Sequence, residues 1–123
     1  MSDYFDSLNV MTVLEVEGVR DEDELHEIYT VKHDDLTLKV TLVWFEPRVE
    51  ISVRRQCDTR PMFHLSFRYD HIERVWDQQG ERLEFRDCTR EDTRSVDCDV
   101  LRRWQVLFSV QLWIKPHICV QLA

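Results

Sequence analysis

The 123 residues predict an all-β or predominantly β fold, an antiparallel meander of about eight or nine strands with at most one or two short helices. Three observations carry this expectation. In residues 36–54, LTLKVTLVWFEPRVEISVR, apolar Leu36, Leu38, Val40, Leu42 and Trp44 alternate with Thr37, Lys39, Thr41, Val43 and Phe45, and the alternation resumes beyond Glu46-Pro47. A period of two puts alternate side chains on opposite faces of a strand. The same period recurs in residues 62–69 and again in residues 103–114. No amphipathic helices alternate with these runs, so nothing is available to cover a parallel sheet, and antiparallel pairing closing as a sandwich or partly open barrel follows.

Taken in order, residues 3–13 have Tyr4, Phe5, Leu8 and Met11 near helical spacing, with Ser2 or Asp3 as a cap, and predict a short helix or turn. The β-branched residues 12–17 then predict a first strand, broken at Gly18. Residues 25–33 form a second, with Leu25, Tyr29 and Val31 on one face. Asp34-Asp35 supplies turn chemistry before the hairpin of residues 36–54, where Val49, Ile51 and Val53 oppose Arg48, Glu50, Ser52 and Arg54. Residues 56–61 read as a loop. Phe63, Leu65, Phe67 and Tyr69 then oppose Met62, His64, Ser66 and Arg68 in another strand. Residues 72–76 turn through Asp77-Gln78-Gln79-Gly80 into residues 82–86, with Leu83 and Phe85 inward. Residues 87–100 are a long polar interruption. A strand over residues 103–114 and a last one carrying Ile118, Val120 and Leu122 complete the chain. On the inferred apolar faces, Trp44, Trp76 and Trp104 are assigned to the core.

Composition bounds the function more than it names it. A chain of 15.0 kDa is one domain by its length. Two glycines exclude phosphate-cradling loops, and no apolar run reaches the ~20 residues of a membrane span, so no membrane is implied. The N-terminus has neither a basic nor an apolar leader segment, and the four cysteines have no CxxC spacing; a reduced, cytoplasmic protein is expected. The formal charge is −8, and residues 1–35 carry eleven acidic residues against two basic ones. The acidity peaks in residues 15–27, with Asp21, Glu22, Asp23 and Glu24 at its centre. Such a patch repels phosphate backbones, so nucleic acid is not an expected partner, whereas a basic protein is.

Chemistry is poorly signalled. His71 and Glu73 echo an HxE motif but lack the PCxxC that holds a deaminase zinc, and His117 with Cys119 makes only a second pair. No GxSxG is present. Cys57 stands in a loop among Arg54, Arg55 and Arg60, a neighbourhood that favours thiolate, in a chain where arginine is common. No catalytic residue, metal or cofactor is assigned.

Two readings remain. In the first, the chain is a protein-interaction or self-association module: Asp21–Glu24 docks a basic partner, or Trp113, on the face opposite the apolar one, forms a homodimer contact; for Trp113 the alternative is a covered core position, beneath residues 87–100 or on the second face of a sandwiched sheet. In size and charge it resembles small immunity or antitoxin-type proteins. In the second, Arg54, His64 and Arg68 line a barrel or sandwich pocket for a small anionic ligand.

Overall fold

The computed structural model describes residues 5–22, 25–90 and 107–123, apart from the side chain of Arg90. One helix, α1 (Ser7–Leu14), precedes nine strands: β1 (Val19–Arg20), β2 (His26–His33), β3 (Leu36–Val43), β4 (Arg48–Arg55), β5 (Phe63–Arg68), β6 (His71–Asp77), β7 (Gly80–Arg90), β8 (Phe108–Trp113) and β9 (Cys119–Leu122). The expected antiparallel meander is present, as one open nine-stranded sheet in the order β1-β2-β3-β4-β5-β7-β8-β9, with β6 paired to β7.

The N-terminal segment differs from expectation. The β-branched residues 12–17 form no strand; Val10, Val13 and Leu14 lie on one helical stripe and are buried. That spacing of three and four buries an apolar face on the core, which outweighs local strand propensity. Asp6, rather than Ser2 or Asp3, caps the helix, its carboxylate accepting from Leu8 N at 2.9 Å. The helix ends at Glu15, which is left-handed at φ 60°.

Register in the first half is regular. Tyr29 faces Val40, Val40 faces Ile51, and Ile51 faces Leu65, so a row of apolar residues crosses β2, β3, β4 and β5. β7 joins the two halves of the sheet. Its start pairs with β6 and β8, a register irregularity falls between Phe85 and Cys88, and Thr89 pairs with Arg68 of β5. Asp87 sits within that irregularity at φ 53°, and a bulge there bends the strand so that one strand serves both halves. The polar interruption expected over residues 87–100 therefore begins later, since β7 runs to Arg90; residues 91–100 lie outside the described residues.

The concave side is one core. Leu38, Leu42 and Ile51 from the first half and Leu83, Phe85 and Leu112 from the second are fully buried in a single cluster, closed by Val10 and Leu14 of α1. Each such side chain contributes about 1.5–3 kcal/mol on burial. Phe67 stands edge-on to Phe85 at 5.3 Å between ring centroids, at the corner where β5 meets β7. His33, at the end of β2, meets the carbonyl of Pro116 beyond β8 at 2.9 Å, which ties the two ends of the curled sheet.

Trp76, expected in the core, is instead 74% exposed: among the described residues its strand β6 is paired with β7 alone. Trp44 packs against the core beneath the Arg20 guanidinium, and Trp104 lies outside the described residues.

Candidate functional site: the open face of the sheet

While one face of β2 to β5 is consumed by the core, the other is built from alternate residues and, among the described residues, has no second element packed on it. From the register, Ile28, Thr41, Glu50 and Ser66 form one cross-strand row, and Thr30, Lys39, Ser52 and His64 the next. Arg48 faces Arg68, and Thr37 lies between Lys32 and Arg54. The pairing of β4 with β5 thus brings three of the expected binding residues, Arg54, His64 and Arg68, onto one face.

A hollow of about 310 Å³ opens in the middle of this face, lined by Asp21, His26, Ile28, Lys39, Thr41, Glu50, Ser52 and His64. Two imidazole–carboxylate pairs form its walls. His64 Nε2 lies 2.6 Å from Glu50 Oε1, and His26 Nδ1 lies 2.6 Å from Asp21 Oδ2. The other oxygen of Asp21 accepts from Leu25 N at 3.0 Å, so the carboxylate also fastens the link between β1 and β2. The hydrogen bond from the His26 ring, assisted by these backbone donors, holds the Asp21 carboxyl below the usual carboxylate range.

The expected residues separate. Of Arg54, His64 and Arg68, His64 lines the hollow. Arg54 stands two residues beyond Ser52 on β4, and Arg68 four residues beyond His64 on β5, both outside its lining. Arg54 donates to the Asp58 carbonyl at 3.4 Å, and Arg68 lies 4.0 Å from Glu46. Asp21 reaches the hollow, Glu22 is exposed on the turn beyond it, and Asp23 and Glu24 lie outside the described residues. Trp113 is 8% exposed, the covered position that was the alternative to an interface role. The β6–β7 hairpin covers it: its indole donates to the Gln79 carbonyl at 3.1 Å, and the Arg82 guanidinium lies 5.6 Å from the ring centroid. His26, Lys39 and Glu50 were not singled out from the sequence. Their shared face on β2, β3 and β4 was legible in the alternation, but the hollow depends on the curl of the sheet.

Other chemistry is less organised. Ligand atoms of Asp70, His71 and Asp87 lie within 4.8 Å of one another, yet His71 Nε2 is already engaged by Glu73 at 3.1 Å, and both aspartates are exposed. His117 and Cys119 line a second hollow of about 260 Å³, and among the described residues no third metal-capable side chain joins them. Cys57 is exposed, as its loop position predicts. No helix among the described residues is long and apolar enough to cross a membrane.

No family model and no curated protein matches the chain. Among solved structures, it is similar to a chain of the contact-dependent growth inhibition toxin–immunity protein complex from Klebsiella pneumoniae 342, with a TM-score of 0.72 at 14% identity over 99% of this chain and 98% of that one. At that identity the likeness is one of fold: nearly the whole of this chain has the architecture of a chain found in a toxin–immunity complex.

Proposed function

We propose that the chain is a protein-interaction module of the immunity type, acting in the cytoplasm, which docks a protein partner across the open face of β2 to β5. The observation that carries this reading is the face itself. Strands β3, β4 and β5 present Thr41, Glu50, Ser52 and Ser66 in two adjoining hollows of the sheet, and among the described residues no other element is laid over them. A side-chain set held by strands is pre-organised, which lowers the ordering cost of association. The full-length likeness to a chain of a toxin–immunity complex supports the same reading, since that architecture serves there in a protein complex.

The small anionic ligand is less well supported. That reading needs Arg54, His64 and Arg68 to converge, and only His64 of the three lines the hollow.

The test plants bulk in the face. With tagged wild-type protein and whatever partner stays bound through purification, Thr41→Arg and Ser66→Arg are expected to abolish retention. Gln78→Arg, on the β6–β7 turn, is expected to retain the partner as the wild type does. Equal retention by all three variants would overturn the assignment of the face.

A further inference from the structure

The open face has a charge opposite to that of the chain. Acidic residues outnumber basic ones 24 to 16 overall. On the outward positions of β2 to β5, however, Lys32, Lys39, Arg48, Arg54 and Arg68 share the face with one strand carboxylate, Glu50, and with Asp21 and Glu46 at its edges. Lys32, Lys39, Arg54 and Arg68 are exposed. Arg48 and Arg68 are direct cross-strand partners, an arrangement that by itself disfavours sheet pairing. Glu46, at 3.9 Å from Arg48 and 4.0 Å from Arg68, offsets that repulsion from the rim. A solvated exterior in an acidic chain has no need to gather cations on one face, and the gathering lies on both sides of the hollow.

We infer that the partner docks on this face through an acidic protein segment, its carboxylates meeting Lys39 and Arg54 on one side of the hollow and Arg48 and Arg68 on the other. This inference rests on the docking assignment above and names the chemistry of the partner. The acidic residues 15–27 had suggested a basic partner; the sheet face points the other way. The hollow between the two cationic margins distinguishes an acidic peptide from a nucleic acid. Asp21 and Glu50 line its walls, each bound to an imidazole, and a continuous phosphate backbone crossing the face would run directly over both carboxylates. A polypeptide carries its carboxylates at intervals and can set a neutral or donor side chain over the hollow. Because the interaction is between exposed charges, it accelerates association and weakens as salt screens it.

The experiment titrates isotopically labelled protein with three probes at low and at high salt: a Glu/Asp-rich peptide, a Lys-rich peptide of equal length, and a single-stranded oligodeoxynucleotide. The acidic peptide is expected to shift the amide resonances of Lys39, Ser52, Arg54 and Ser66 at low salt, with the shifts fading at high salt. The double variant Lys39→Glu/Arg54→Glu, both sites being exposed, is expected to fold and to bind the peptide at least about tenfold more weakly. Binding of the Lys-rich peptide at this face, no binding of the acidic one, or equal binding of the oligonucleotide would each overturn the inference. The two levels fail separately. If Thr41→Arg abolishes partner retention but the charge-reversed double variant does not, the docking face stands and its acidic partner falls; if neither affects retention, both fall.

Discussion

Gly18 shows how closely the chain is packed at a single residue. A Cβ placed there would come within 2.7 Å of the Tyr29 ring and would meet the Glu27 side chain as well. Glu27 is buried and accepts from the Tyr29 hydroxyl, and Ser7 approaches its other oxygen at 3.4 Å. Burial, and then this carboxylate, raise the Tyr29 phenol above its ordinary range. Gly18→Ala is therefore expected to cost about 1–3 kcal/mol of stability, read from chemical denaturation, because the crowded neighbours are the buried, mutually hydrogen-bonded side chains of Glu27 and Tyr29. An unchanged midpoint would mean the segment lifts away freely. The thiols give a second residue-level test. Burial pushes Cys88 up to about 12, whereas Cys57 and Cys119 are exposed. In a Cys98→Ser background, a thiol reagent is expected to modify Cys57 and Cys119 in the native protein and Cys88 only on unfolding. Native labelling of Cys88 would contradict the packing of β7.

At the scale of elements, the β6–β7 hairpin depends on an ion pair set beside a buried indole. Arg82 is buried, and its guanidinium donates to both oxygens of Asp77 at 2.8 and 3.0 Å, with Glu84 at 3.8 Å. The Arg82 hydrogen bond, with a further one from Gln79 N, holds the Asp77 carboxyl below its ordinary range. A lowered folded pKa contributes stability that is present above the unfolded value near 4 and is lost as pH falls through the folded one. Asp77→Asn is thus expected to lower the thermal midpoint at neutral pH, and the gap from wild type is expected to close in acid. A gap constant from neutral pH to pH ~3 would show that the charge of Asp77 plays no part. The same hairpin marks where sequence and structure diverge. Alternation put Trp76 and Leu83 alike on apolar faces, but a period of two says which residues share a face and not whether anything covers it. Among the described residues β6 is paired with β7 alone and Trp76 stays in solvent, while Trp113 is roofed by a turn far away in sequence. The hairpin of β3 and β4 was legible almost residue by residue, since each strand alternates and Leu38, Val40, Leu42, Val49, Ile51 and Val53 on its inner face are buried. The helix was legible as a short helical stretch within residues 3–13, but not its end, because β-branched Thr12, Val13 and Val16 argue for a strand where α1 continues to Leu14.

A bent β7 lets one sheet curl around a single core and leaves one face of β2 to β5 without another described element over it. The charges segregate with it: the cations of Lys32, Lys39, Arg48, Arg54 and Arg68 gather on the open face, while the chain as a whole stays acidic. In the sequence this was half visible. Arg48, Ser52 and Arg54 alternated with buried residues, as did His64, Ser66 and Arg68, but only the pairing of β4 with β5 merges the two sets, and only the curl makes the hollow. The acidic N-terminal segment was the louder signal by composition, yet Asp21 spends its carboxylate on His26 and on the backbone of its own turn. Docking across this face is tested by site-specific photo-crosslinking in cells. A photoreactive residue at Ser52, in the floor of the hollow, is expected to capture a discrete protein partner, while the same residue at Gln78 captures none. Capture from Gln78 with none from Ser52 would contradict the claim and move the interface to the hairpin.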